Sequence, residues 1–446
     1  MMNIITGNLD ATSGKVLWNG KNVLRMGREF RRVLGYMPQQ QNLYDSFTGR
    51  RFLLYIAALK EIPRSDAALQ VQRVAELVHL SSELEKRLAA YSGGMKQRLL
   101  AAAALLGEPQ ILIMDEPTAA ITEREVELLF DHIRKLKEKG VAIIYISHRM
   151  AEIFSICDRV SVYRDGQYIA TDDTANLTEA ELIKMMVGRE ITDVYPKLDA
   201  EIGDVIFEAK NITRADNKVK NVSLTVRKGE ILGIGGLVGA GRSELVEGIF
   251  GMHPLSSGEI YVKGKKVNVS SPQDIIKEGV ALITEDRKVT GLNLSGTVND
   301  NIAMVAIKKL LTNGLYNKSK AYKASQEYIE KLNIKTPSAN QIVGNLSGGN
   351  QQKVVIAKWL LNEPDIIILD EPTRGIDVGA KRDIYLLLGK LVQQGKAVIM
   401  ISSEIPELMG ICDRVLVMCE GNDSGEVKRE DFSQERIMTL ASAITV

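Results

Sequence analysis

Ile366-Ile367-Ile368-Leu369-Asp370-Glu371-Pro372-Thr373 is the stretch that decides how this chain is read. Four apolar residues run straight into two carboxylates. A short continuous apolar run predicts a strand buried on both faces, as in a parallel sheet covered by helices. At the end of such a strand Asp370 can hold Mg²⁺ through water, and Glu371 beside it can orient an attacking water. The stretch has an earlier copy, Ile111-Leu112-Ile113-Met114-Asp115-Glu116-Pro117-Thr118, 255 residues upstream. Leu346-Ser347-Gly348-Gly349-Asn350-Gln351-Gln352 and Tyr91-Ser92-Gly93-Gly94-Met95-Lys96-Gln97 keep the same offset, as do Cys412-Asp413-Arg414-Val415 and Cys157-Asp158-Arg159-Val160. A repeat of that length is a duplicated domain, not a solenoid unit.

Outward from these anchors both halves alternate strand and helix signals. Ala142–Ser147 and Ala397–Ser402 read as further strands buried on both faces, and 123–139 and 381–394 have helical spacing. Residues 48–90 and 297–340 lack strand signals and read as helical insertions. The predicted fold is α/β with parallel strands, divided into domains at 1–196 and 203–446 by a short polar linker.

The second half carries a further feature. A strand candidate at 229–235 feeds Gly236-Leu237-Val238-Gly239-Ala240-Gly241-Arg242-Ser243-Glu244, the spacing of a phosphate-binding loop with Arg in place of Lys. Its glycines let backbone N–H groups converge on phosphate oxygens, and the following helix N-terminus adds a favourable dipole. Ser243 is placed to ligate Mg²⁺ beside Asp370. Arg242 is planar and bidentate where Lys is a point charge, so nucleotide binding is expected to survive and transition-state positioning to suffer. Ser347, Gly348 and Gly349, and their copies Ser92, Gly93 and Gly94, offer a hydroxyl and backbone N–H groups at a helix start, a clamp for phosphate. No aromatic residue stands near Arg214-Ala215 to stack on a base.

Together these motifs resemble the ATP-binding cassette (ABC) ATPases over nearly the whole chain. More narrowly, the second half is similar to the tandem ATPases of bacterial sugar importers for ribose, xylose, galactose or arabinose. Thr284-Glu285-Asp286-Arg287-Lys288, Pro372–Gly379 and Ile401-Ser402-Ser403-Glu404 carry that likeness. The resemblance implies two P-loop NTPase nucleotide-binding domains in tandem, with ATP and Mg²⁺ as cofactors. It assigns Glu116 and Glu371 as catalytic carboxylates and Asp115 and Asp370 to the metal. Gln39, in Gly35-Tyr36-Met37-Pro38-Gln39, matches the residue that senses the γ-phosphate, and His148 matches the switch histidine. In the second domain Glu285 and Ser403 stand at those two positions, so that domain's own site resembles a degenerate one.

The first domain is expected to be incomplete. Gly7 and Gly14 match Gly251 and Gly258 at an offset of 244, which puts the counterpart of Arg242 ahead of Met1. A strand, the phosphate loop and the base-stacking segment would lie there. In the resembled family each nucleotide lies between one domain's phosphate loop and the other's Ser-Gly-Gly turn.

Bulk properties set limits. The chain has 446 residues, 45% hydrophobic and 25% charged, and a formal net charge of +1. That balance gives no electrostatic footprint for nucleic acid. Three cysteines without metal spacing read as structural thiols, with Cys157 and Cys412 buried, in a reducing compartment. No apolar run reaches the ~18 residues needed to span a bilayer. The implied partners are integral-membrane permease subunits docked on the helical insertions, and through them an extracytoplasmic sugar-binding protein. The implied place is peripheral, at the cytoplasmic face of the bacterial membrane. The expected function is the ATP-binding subunit of an importer; a non-hydrolysing nucleotide-binding remnant or regulatory protein is the alternative. A soluble ABC protein of translation would need a long charged linker, and the one here is short.

Overall fold

The computed structural model describes residues 2–39, 43–118, 123–147, 149–164, 166–187, 194–237 and 239–442. They form two units, Met1–Arg189 and Glu190–Val446. In the first unit, helix α1 (Met2–Ile5) leads to a hairpin of β1 (Leu17–Trp18) and β2 (Lys21–Asn22). Strands β3 (Leu34–Met37), β4 (Ile111–Asp115) and β5 (Ala142–Ile146) form a parallel sheet in that order. Helices Gly49–Leu59 and Arg64–Leu77 make the predicted insertion. Helix α2 (Gly93–Leu105) packs on β3, and α3 (Glu123–Glu138) packs on β5. β6 (Arg159–Arg164) and β7 (Gln167–Asp173) are an antiparallel pair of their own.

The second unit repeats this plan with a six-stranded central sheet where the first has three strands and a separate pair. β8 (Val205–Arg214) and β9 (Val222–Arg227) precede β10 (Ile231–Gly235), which runs into helix α4 (Arg242–Ile249). β11 (Leu255–Val262) and β12 (Lys265–Val267) join β8 and β9 in a four-stranded antiparallel sheet. After β13 (Val280–Ile283) comes the insertion at 297–340. It is not wholly helical: β14 (Leu311–Thr312) and β15 (Leu315–Tyr316) pair around Asn313-Gly314 ahead of helix Lys318–Lys331. Both turn residues have positive φ, a two-residue hairpin signal that was legible in the sequence. Helix α5 (Gly348–Leu360), β16 (Ile366–Asp370), helix α6 (Val378–Gln393), β17 (Ala397–Ile401), β18 (Arg414–Cys419) and β19 (Asn422–Lys428) complete the unit. The central sheet has the order β13-β16-β17-β10-β18-β19 and is parallel except at β19.

The position of β10 explains a failed expectation. β17 is buried at every residue, as its apolar run predicts, but Ala142 and Ile144 of β5 are exposed although β5 is the same kind of run. β17 pairs with β16 on one edge and β10 on the other; β5 pairs with β4 alone. Among the described residues no strand of the first unit takes the place of β10. β6 shows the same loss, with only Val162 buried, whereas Val415–Met418 of β18 are all buried. The offset of 244 holds in three dimensions. Leu17 pairs with Asn22 and Trp18 with Lys21, as Tyr261 does with Lys266 and Val262 with Lys265. Gly7 and Gly251 also share a left-handed conformation, at φ 76° and 77°.

Two smaller readings change. Residues 194–201, read as linker, pack on the second unit: Tyr195 lies against Gly410, Leu198 against Gly389, and Lys197 pairs with Asp413 at 2.7 Å. Cys412 is buried as expected, but Cys157 is only half-buried.

Candidate functional site

The second unit assembles its nucleotide motifs at the end of β10. Gly236 has φ 148°, and a Cβ there would sit 2.4 Å from the Met418 carbonyl oxygen, so only glycine fits. Gly239 and Gly241 are left-handed, and Ala240 N donates to the Leu237 oxygen at 3.0 Å. The chain turns here and starts α4 at Arg242. Ser243, in the first turn of that helix, stands beside Asp370 at the end of β16. Glu244 faces outward and accepts from Lys218 Nζ at 3.3 Å.

Arg242 is almost fully buried. One arm of its guanidinium donates to the Ser402 carbonyl oxygen at 2.7 Å; the other lies 3.4 Å from Glu371 Oε1. Ser403 Oγ donates to the second Glu371 oxygen at 3.1 Å. Ser403, the residue in the switch position, therefore holds one oxygen of the Glu371 carboxylate while Arg242 lies by the other. Burial pushes Glu371 up to about 7, and the attraction of Arg242 and the Ser403 bond only partly oppose it. Burial likewise pushes Asp370 up to about 6 against the Ser243 bond and the Arg242 charge. Asp370 Oδ1 is buried without a hydrogen-bond partner. An orphaned carboxylate oxygen beside a serine hydroxyl is a hard-oxygen donor set suited to Mg²⁺ and its waters.

Glu285 does not face this carboxylate pair alone, because it is ion-paired with Arg374. Arg287 extends the same contact: its guanidinium donates to the carbonyl oxygens of Arg374 at 2.8 Å and Gly375 at 3.1 Å. The turn that reads as a γ-phosphate sensor is thus fastened to the turn after Glu371. Ser347 caps α5 and accepts from Asn350 Nδ2 at 2.9 Å. A Cβ on Gly348 would meet Arg287, and one on Gly349 would lie 2.5 Å from Ala380 Cβ. The Ser-Gly-Gly turn therefore sits by Arg287 and the start of α6. Arg214 is tied to Asp216 and Glu247, so its guanidinium is not free to lie flat on a base.

Among the described residues the first unit reproduces the acidic end of the second and shows no counterpart of its loop. Glu116 and Glu371 share a left-handed backbone, φ 48° and 46°, and each donates its N–H to the neighbouring strand at 3.0 Å, to Ile146 and Ile401. A glutamate held there costs about 1–3 kcal/mol, a strain that persists where a site over-determines it. Burial, then the nearby Glu116, raises Asp115 above the usual carboxylate range. Ser92 caps α2 and accepts from Met95 N at 3.2 Å, and Gly93 and Gly94 open the helix. Gln97 Nε2 donates to the Pro117 oxygen at 3.1 Å, a bridge between that helix and the acidic turn that no motif announced. Gln39 is exposed just after β3. His148 lies outside the described residues.

Comparison with known proteins agrees with this arrangement. The ABC transporter family model matches residues 1–119 and 219–374. The chain belongs to the ABC transporter family. It is 43% identical over 454 residues to a ribose import ATP-binding protein of Bacillus subtilis, covering 99% of this chain and 91% of that one. A ribose import ATP-binding protein of Clostridium tetani is 52% identical over 344 residues, 77% of this chain and 68% of its own. That of Bacillus licheniformis is 44% identical over 451 residues, 99% and 91%. The likeness to tandem sugar-import ATPases expected from the motifs is therefore met along almost the whole length.

Proposed function

We propose that this chain is the ATP-binding subunit of a carbohydrate importer, using Mg²⁺–ATP to drive a separate permease. The observation that carries it is the meeting of phosphate loop, Ser243, Asp370 and Glu371 at one end of a parallel sheet, in a chain that matches ribose import ATP-binding proteins over nearly its whole length. No described helix is long and apolar enough to cross a membrane, which supports peripheral attachment through the permease. An extracytoplasmic sugar-binding protein would deliver the substrate to that permease.

When bound, Mg²⁺ would offset the charge on the phosphates. Ser243 and the free oxygen of Asp370 would hold it. The loop N–H groups and Arg242 would seat the phosphates, and Glu371 or Glu116 would orient water. A non-hydrolysing reading keeps one specific support: Arg242 and Ser403 already occupy both oxygens of Glu371, and Glu285 is engaged by Arg374.

An affinity-tagged chain drawn from detergent-solubilised bacterial membranes should bring down a multi-spanning protein. Recovery with ribosomes and no membrane protein would refute the reading. A pH series tests the metal site. Asp370 and Glu371 are raised above their unfolded values, so their contribution to stability is present below pH ~4 and is lost as pH rises through about 6 to 7. Mg²⁺ needs the ionised form of Asp370. Its affinity in the presence of ATP should rise by up to about tenfold per pH unit below 6 and level off above 7. Calorimetry at three pH values checks this, and a flat profile would remove Asp370 from the site.

A further inference from the structure

Behind each acidic turn lies a buried glutamate that no motif names. Glu407, fully buried, accepts through Oε1 from Thr373 Oγ1 at 2.5 Å and Tyr385 OH at 2.6 Å, and through Oε2 from Ser402 Oγ. Glu152 stands 255 residues earlier. It accepts from Thr118 Oγ1 at 2.7 Å, Tyr145 OH at 2.8 Å and Ser147 Oγ at 2.8 Å. The threonines and serines are repeat counterparts, but the tyrosines are not. Tyr385 is on α6, where the first repeat has Phe130; Tyr145 is on β5, where the second has Met400. The hydroxyl reaches the carboxylate from a helix in one unit and from a strand in the other, and the alternative position is apolar each time. Keeping three hydroxyl donors while exchanging the element that supplies one of them indicates that the third hydroxyl itself is required, whichever element carries it.

We propose that Glu407 is a positioning residue of the nucleotide site, tying the acidic turn to the switch turn so that Arg242 and Glu371 keep one geometry. Glu152 does the same for Glu116. The tie is continuous in the second unit. Thr373 lies two residues beyond Glu371. Ser402, held by Glu407, presents the carbonyl oxygen that takes Arg242, and the next residue, Ser403, takes Glu371. Ser402 Oγ also accepts from Glu404 N at 3.0 Å, and Ser147 Oγ accepts from Arg149 N at the same distance, which fixes both switch turns alike. A fully satisfied buried polar cluster rigidifies what it joins. Of the two turns it joins here, one carries Glu371 and the other holds Arg242 through the Ser402 carbonyl oxygen. This inference rests on the reading of Arg242 and Glu371 as part of an ATP site.

The experiment uses the full chain and Mg²⁺–ATP, with affinity measured by calorimetry well below any unfolding transition and thermal unfolding followed in parallel. Tyr385→Phe should weaken binding about tenfold, the scale of one lost buried hydroxyl bond. Adding Met400→Tyr to it rebuilds the first unit's arrangement and should bring affinity back to within about threefold of the parent. Tyr385→Phe binding as tightly as the parent, or a folded double variant no better than the single one, overturns the proposal. Should the double variant not fold, Glu407→Gln decides: affinity at least as weak as in Tyr385→Phe supports positioning, and parental affinity with a lowered melting temperature makes the cluster structural only. If the parent chain binds no ATP, the functional reading fails and this inference falls with it.

Discussion

A chain in which a copy of residues 203–244, carrying Arg242→Lys in the copy, is placed ahead of Met1 is expected to hydrolyse ATP at least about 10²-fold faster than residues 1–446 with permease present. Losing a single well-placed donor of charge stabilisation commonly costs that much, and a phosphate loop contributes several. The junction is set by the offset of 244, which the matched hairpin registers establish. The sheet is ready for the added strand. Ile143–Ile146 are the repeat counterparts of Val398–Ile401, which pair with Ile231–Ile234, and Arg159–Val162 correspond to Arg414–Val417, which flank β10 on its other side. Amides on these edges should become protected from hydrogen exchange, and Ile144 and Tyr163, now 36% and 46% exposed, should be covered. Open strand edges are aggregation-prone, so the longer chain should also be more soluble. Glu116→Gln in it should return the rate to that of residues 1–446. Turnover by residues 1–446 at ~1 s⁻¹ or faster, or an unchanged rate once the edges are protected, would end the assignment of Glu116 as the catalytic carboxylate of the first unit.

The sequence carried the parts of this protein that obey local rules. The apolar runs before Asp115 and Asp370 became parallel strands because a four- or five-residue apolar run has no solvent face to offer. The Gly236–Ser243 spacing became a loop because Gly236 and Gly241 sit where a Cβ would strike the Met418 or Lys218 carbonyl. Burial of β5 was misjudged because burial belongs to the sheet and not to the strand. Ala142–Ile146 reads like Ala397–Ile401, and only the presence of β10 separates them.

The site was legible by residue and illegible by contact. Nothing in the spacing tells that Arg374 engages Glu285, since that pair is closed by folding two turns together. Glu152 and Glu407 were overlooked because a lone glutamate early in a helix reads as a solvated residue. Their repeat offset of 255 and the reciprocal exchange of Tyr385 and Phe130 with Met400 and Tyr145 were visible in the sequence. They acquire meaning only when the hydroxyls are seen to converge. The left-handed backbone of Glu116 and Glu371 had no signal, because glutamate is not a residue that favours that conformation.

Arg242→Ala is expected to weaken ATP binding about 10- to 100-fold, the worth of a hydrogen bond to a charged group lost in a buried place. Two features of the structure make the effect specific. The Arg242–Glu371 separation of 3.4 Å is longer than a charge-assisted bond, which is near 2.7–2.9 Å. Burial also holds Glu371 up to about 7, so at neutral pH the carboxylate is only partly ionised and the guanidinium leans on Ser402 instead. A planar fork can keep one arm on that carbonyl while the other turns to a phosphate, which a lysine ammonium at the same position has no second arm to do. Glu371 then competes with nucleotide for the free arm. Glu371→Gln removes the competitor and should tighten binding in the parent chain, but not in Arg242→Ala, where there is no arm to release. The two substitutions should therefore be non-additive in a double-mutant cycle. Additive effects would mean that Glu371 does not compete for that arm, and Arg242→Ala binding ATP as tightly as the parent would mean that the loop N–H groups hold the phosphates without Arg242.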